Sequence, residues 1–268
     1  GYESELMDAL RLVSEADEII LQIDAIVDDP FAAESKGKRQ DVLPSVEQTK
    51  QLLVDADGRA RNVSEKLSDP SVREVANQTV ISITARKGMI MQGVQLVEAS
   101  EDAEQAAKEC DAAWQVVLDA DAKVREATKL AGRNEVDASR ECTLEAKETF
   151  SKSLDQLKVL QADYQTADVS PLIEYVEKRM EAMDLAVQSD EALAAKNKDE
   201  AIARNDAYNA AEEEAATMAA ALPSDPKQLV KDAYFATWAE VIRSYSGQRA
   251  AAGTSDAVIR DYLGAQGK

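Results

Sequence analysis

The chain has 268 residues, 51 acidic against 31 basic and no histidine, for a formal net charge of −20. Without imidazole, most general-base arrangements near neutral pH and most transition-metal sites are out of reach. A polyanion gains nothing from nucleic-acid phosphates or an anionic membrane surface, so neither is an expected partner.

Of the 45% hydrophobic residues, 46 are alanine, and aromatics make up only 4%. That composition cannot fill a thick core. It suits thin seams where alanine lets two helices approach closely. The chain opens Gly1-Tyr2-Glu3-Ser4 rather than on methionine, which suggests that a signal peptide or membrane anchor upstream has been removed, with truncation of another domain as the rival reading. A first helix is expected over 3–28. Its densest apolar run, Ile19 to Val27, is broken by Gln22 and Asp24, and no stretch reaches the ~20 apolar residues that span a bilayer.

Lys36-Gly37-Lys38-Arg39, the compact basic cluster, is read as a solvated loop before a helix over 43–66. Prolines punctuate the chain from there on. Pro44, Pro70, Pro171 and Pro226 stand where a first helical residue is expected, since a residue without an N–H loses nothing there. Asp69, Ser170 and Asp225 precede three of them as N-caps, and Asp225 with Gln228 forms a capping-box pattern. Further helices are expected over 70–98, 101–131, 136–164, 171–195, 199–221, 226–246 and 255–263, with no strands. The fold class is therefore all-α, an antiparallel long-helix bundle of eight or nine helices.

Apolar seams of spacing four and three recur along these segments. Val72, Ala76, Val80 and Ile83 match Leu172, Val176, Met180 and Met183 at a displacement of 100 residues. This suggests a degenerate three-helix repeat of about 100 residues: a first unit over 1–98, a second over 101–195 and a shorter third over 199–268. Neither Ala99-Ser100-Glu101 nor Lys196-Asn197-Lys198 holds Gly or Pro. Turns at both are favoured, with Ser100 and Asp199 as caps and Asn197 as a left-handed terminator. Uninterrupted helices there would give a layout similar in organisation to spectrin-like repeats, with no residue-level motif shared.

Assembled chemistry is hard to find. Di-iron bundles need Glu-x-x-His pairs. Asp55-Ala-Asp57-Gly58 lacks the glycine and glutamate positions of a calcium loop. No glycine-rich phosphate loop occurs, and Glu212-Glu213-Glu214 reads as a solvated face. Cys110 and Cys142 fall in helical pattern, out of register for a disulfide, and are expected as unpaired buried thiols. No catalytic, cofactor or metal residues are assigned, and no cofactor is expected.

One feature is uneven. Residues 32 to 113 hold no aromatic, whereas Tyr234, Phe235, Trp238, Tyr245 and Tyr262 crowd the C-terminal end. Local core is the plainer reading. The sharper one makes Tyr234, Trp238, Tyr245 and Tyr262 a partner- or ligand-binding surface. The leading functional expectation is a non-enzymatic secreted or cell-envelope helical protein, a structural spacer, adhesion or protein-interaction module with a protein partner. The alternative is an extracytoplasmic ligand-sensing or small-molecule-binding helical domain. A cytoplasmic location is the alternative to an extracytoplasmic one.

Overall fold

The computed structural model describes residues 1–266. About 90% of the chain is helical, with no strand among those residues. Seven helices are arranged in order: α1 (Tyr2–Asp28), α2 (Ser35–Lys66), α3 (Pro70–Gly132), α4 (Val136–Asp163), α5 (Ser170–Ala194), α6 (Lys198–Ala221) and α7 (Lys227–Gln266). They pack antiparallel. The expected eight or nine become seven because two pairs fuse.

The first fusion is at 99–101, where a turn was expected and α3 runs straight through. Ser100 is fully buried and donates its hydroxyl to the Val97 carbonyl at 2.8 Å, so it stays inside the helix instead of capping a new one. The second is at 247–254, where α7 continues because Tyr245, Ala252 and Ser255 keep the same face buried.

α2 also starts earlier than expected, and Pro44 lies inside it. The basic cluster is helical, not a loop. Arg39 is buried and donates to the Pro30 carbonyl at 3.1 Å, while the Ser35 hydroxyl donates to the Asp29 carbonyl at 2.7 Å. These bonds tie the first turns of α2 back to the α1–α2 connection, which offsets the main-chain hydrogen bond that Pro44 cannot donate.

Two of the three expected caps stand. The Asp69 carboxylate accepts from the Ser71 N–H at 2.9 Å, and Asp225 accepts from the Lys227 N–H at 3.1 Å. Ser170 is instead the first residue of α5, and Asp168 accepts from its N–H at 3.1 Å.

Contacts gather the chain into two compact units: unit 1, residues 1–101 with 237–268, and unit 2, residues 102–236. In unit 1, Ile20, Ile23 and Ile26 of α1 meet Leu53 and Ala56 of α2, Ile83, Ile90 and Leu96 of α3, and Tyr245 and Ala252 of α7. Leu6, Val63, Val72, Val75, Ala76 and Ile259 form a smaller cluster. In unit 2, alanines and Cys110 of α3 face Phe150, Leu157 and Leu160 of α4, Leu172, Val176 and Met183 of α5, and Ala211 and Ala215 of α6. Each fully buried Leu, Ile or Phe contributes about 1.5–3 kcal/mol over leaving it in water.

Both hairpins of unit 2 close with the same motif. At the end of α3, Asn134 takes a left-handed conformation (φ 60°). The Glu135 and Asn134 N–H groups return to the Leu130 and Ala131 carbonyls at 3.0 Å. At the end of α5, Lys196 does the same (φ 59°), with Asn197 and Lys196 bonding back to Ala192 and Leu193. These are Schellman closures. The left-handed terminator is thus Lys196, not Asn197. Asn197 caps α6 by accepting from the Glu200 N–H at 3.2 Å, the part expected of Asp199.

Candidate functional site

All four aromatics expected at a site lie on α7 and pack into more than one cluster. Tyr234 belongs to unit 2, where it is buried and meets Phe235 edge-on at 5.2 Å between ring centroids. Trp238 and Tyr245 belong to the main core of unit 1, and Tyr262 packs on its smaller cluster. Tyr245 is fully buried, and its hydroxyl donates to Asp24.

Each unit instead holds a recess of about 190 Å³. In unit 1 the walls come from α1, α3 and α7, and they are strongly charged. Arg86 of α3 donates Nε and Nη2 to Asp17 at 2.7 and 2.9 Å, and Nη2 and Nη1 to Asp256 at 2.8 and 3.1 Å. Ser82 supports Asp256 from below at 2.6 Å. Burial opposes the Arg86 charge, but its hydrogen bonds to the two carboxylates outweigh burial and raise its pKa above the ordinary value. Burial likewise pushes Asp256 up, but Arg86 and Ser82 prevail and hold it below the usual carboxylate range. Arg249 pairs with Asp28 at 3.0 Å and lies 3.6 Å from Asp24. The charges of this recess are committed to one another.

The recess of unit 2 differs. It lies between its two hairpins, with walls from residues 124–131 of α3, Ser139 and Thr143 of α4, residues 183–190 of α5, and Asn205 and Tyr208 of α6. Two matching bonds, one per hairpin, draw the hairpins shut. Ser139 of α4 donates to the Ala127 carbonyl of α3 at 3.1 Å, and Ser189 of α5 donates to the Ala201 carbonyl of α6 at 2.9 Å. Small residues on both sides make that approach feasible.

Asp190 of α5 is half-buried in this wall. Burial raises its pKa, and only the charge of Arg140 works against the rise. Arg140 itself is paired with Asp137 at 3.0 Å. Among the described residues Asp190 has neither a hydrogen bond from a side chain nor an ion pair. That sets it apart from Asp24, Glu212 and Asp256, the other carboxylates shifted by their surroundings. Those three are held by Tyr245 and Arg249, by Arg179 and by Arg86 respectively. Tyr208 lines the same wall, half-buried, its phenol pushed up by burial and by Glu212.

Deeper in unit 2 a second arginine is clasped like Arg86. Arg179 of α5 meets Asp121 of α3 at 2.6 Å and Glu212 of α6 at 3.2 Å, and it donates to the Tyr175 hydroxyl at 2.8 Å. Its guanidinium lies 4.8 Å from the Phe150 ring centroid. The partner at i−4 (Ser82 for Arg86, Tyr175 for Arg179) recurs in both.

Asp190, Tyr208 and the serines escaped sequence reasoning because each sits among many similar polar residues on an acidic helical chain. A usable signal does exist: Ser139 and Thr143 share the register of Ala146 and Phe150, polar residues on the face that α4 buries. No group of three or more Cys, Asp or Glu among the described residues could hold a metal ion, and no helix is long and apolar enough to cross a membrane. Compared with protein-family models, curated proteins and solved structures, the chain matches none of them.

Proposed function

We propose that this protein is a non-enzymatic helical binding module of the extracytoplasmic space, and that the recess of unit 2 is its ligand-binding element. The observation that carries the reading is a recess of about 190 Å³ between four helices, with apolar and hydroxyl-bearing walls and one carboxylate left without a partner. Small-molecule sites are concave, largely apolar and equipped with a few polar groups. A ligand seated there touches α3, α4, α5 and α6 together, so it reports to the whole of unit 2. This is the ligand-sensing alternative of the sequence, moved to the neighbourhood of Tyr208 and away from the C-terminal aromatics.

Thermal stabilisation by a library of small metabolites tests it, since a ligand that binds only the folded state raises its melting temperature. Stabilisation that disappears on filling the recess with Ala186→Leu is the expected result. A library in which no compound stabilises the protein counts against the reading. Protease shaving of intact cells tests the location: digestion is expected, and protection until lysis refutes it.

A macromolecular partner is the second reading. It is supported by large apolar side chains standing in solvent, among them Met7, Leu21, Val54 and Met91 of unit 1 at 53, 65, 52 and 62% exposure. Here the protein serves as a spacer, adhesion or protein-interaction module built on the proposed three-helix repeat of about 100 residues.

A further inference from the structure

We propose that the recess of unit 2 takes a small organic ammonium ion, its charge on Asp190 and its hydrocarbon body against the alanines and Met183. This rests on the reading of that recess as a ligand site and adds the ligand's chemistry.

Most of the hydrogen-donating capacity of the wall is already used. Ser139 and Ser189 give their hydroxyl protons to the Ala127 and Ala201 carbonyls. Thr143 gives its proton to the Ser139 carbonyl at 2.9 Å, and Thr128 to the Val124 carbonyl at 3.0 Å. A hydroxyl that has donated retains only acceptor lone pairs. The four hydroxyls therefore present oxygens as acceptors, and Asp190 adds a carboxylate. A guest that meets these acceptors must bring donors, while the Asn205 amide and the Tyr208 hydroxyl, which also line the wall, keep donors of their own.

Charge selects further. Asp190 is the single ionisable carboxylate of the wall, and the nearest cation acting on it, Arg140, is already paired with Asp137. An anion entering here meets an unneutralised negative charge. A neutral alcohol supplies one donor and no compensating charge. A hard metal ion fits poorly, because calcium takes six to eight oxygens and magnesium an octahedron. An alkylammonium brings a positive charge and up to three donors, and hydrogen bonds to a charged partner are roughly twice as strong as neutral ones.

Volume and lining set the rest. The recess holds a molecule of about six to ten non-hydrogen atoms, given that a 150 Å³ cavity accommodates benzene. Ala127, Ala131, Ala186 and Met183 supply the apolar surface for a short carbon chain. Tyr208 lines the recess as well, and an aromatic ring face attracts an ammonium independently of hydrogen bonding.

Three probes of similar size test the chemistry on the whole protein: n-pentylammonium, n-pentanol and n-pentanoate. Met183 lines the recess and is 1% exposed, so the NMR signal of its methyl group reports occupancy locally. n-Pentylammonium is expected to shift that signal and to bind about tenfold or more tightly than n-pentanol, with n-pentanoate weakest. Asp190→Asn, which preserves shape, is expected to erase the preference. Ala186→Leu, which narrows the recess and spares the carboxylate, is expected to abolish occupancy by all three.

If n-pentanol or n-pentanoate occupies the recess as well as the amine does, the ammonium inference falls and the ligand-site reading survives. If the amine binds but ignores both Asp190→Asn and Ala186→Leu, it sits elsewhere, and the inference is equally overturned. If none of the three moves the Met183 signal, the ammonium inference falls, and the metabolite-library result with its Ala186→Leu control decides the ligand-site reading.

Discussion

Gly93 offers the sharpest test of the packing in unit 1, because the same substitution should act with opposite sign at two places in the same unit. In a helix interior, Gly→Ala is ordinarily favourable by about 1 kcal/mol, since glycine surrenders more chain entropy on folding. At Gly93 an added Cβ would land on Ile23 Cγ2, far inside van der Waals contact, and 3.1 Å from Tyr245 Cε2. Neither neighbour can give way cheaply. Ile23 is branched at Cβ and 1% exposed, and Tyr245 is fully buried with its hydroxyl on Asp24. Overpacking of this kind costs about 1–3 kcal/mol, so Gly93→Ala is expected to lower stability by up to about 2 kcal/mol after the propensity gain.

At Gly247 and Gly253 of α7 an added Cβ meets nothing within 4 Å. Gly→Ala there is expected to raise stability by up to about 1 kcal/mol. Urea unfolding followed by tryptophan fluorescence reads the difference unit by unit. The chain has two tryptophans, Trp238 in unit 1 and Trp114 in unit 2, so a Trp114→Phe background isolates unit 1. Combining Gly93→Ala with Ile23→Ala, which removes the obstructing methyl, should cost less than the sum of the two single changes. A Gly93→Ala protein as stable as Gly253→Ala would refute the close approach of α1, α3 and α7 around Gly93.

Arg86→Met leaves Asp17 and Asp256 facing one another without their cation and is expected to cost about 3–5 kcal/mol in urea unfolding. A loss under about 1 kcal/mol would mean that the clasp is solvated rather than structural. Asp190→Asn should behave oppositely. A carboxylate whose folded pKa is raised contributes stability that is fully present below its unfolded value of 3.8 and lost as pH rises through the folded value. The variant is therefore expected to be more stable than the parent at pH 7 and to converge with it below pH 3.8. A variant less stable at pH 7 would show that the carboxylate is held by a partner. Both cysteines are free. Cys110 is fully buried, and burial pushes its thiol up to about 11. Iodoacetamide at pH 8, followed by mass spectrometry, should label the half-buried Cys142 first and Cys110 only on unfolding; equal rates would contradict the burial.

Fold class was the most legible feature of the sequence, since seams such as Val72-Ala76-Val80-Ile83 and Leu172-Val176-Met180-Met183 face the packed side of α3 and α5 as their spacing implies, Val80 and Met180 half-buried and the rest buried. Helix count was less legible, for a specific reason. Polar residues at 99–101 look like a break, but a serine can satisfy itself on the preceding turn and stay helical, as Ser100 does with Val97. Lys196 takes the left-handed position that Asn197 invites by residue type, because the Schellman bonds to Ala192 and Leu193 fix the register. Arg39 hid in a basic cluster, since its burial depends on the Pro30 carbonyl, a partner that spacing does not reveal. Aromatic crowding was visible, but which of those rings share a cavity depends on how α7 divides between the units.

This acidic chain treats charge away from water in a consistent way, with one exception. Burying an ion costs several kcal/mol unless it is matched, so a matched ion pair is the ordinary outcome. Arg86 has Asp17 and Asp256, and Arg179 has Asp121 and Glu212, each arginine drawing carboxylates from two other helices. Arg249 answers Asp24 and Asp28. With 20 more acidic than basic residues, most carboxylates must simply stay in solvent, where they need no partner. Asp190 follows neither course, for it is drawn into a wall and raised in pKa with no ion pair of its own, Arg140 acting on it only through its charge. A fold that matches its other shifted carboxylates would gain from an asparagine at that position. If aspartate there costs stability, as the Asp190→Asn prediction holds, the proposed cationic guest is what supplies the return.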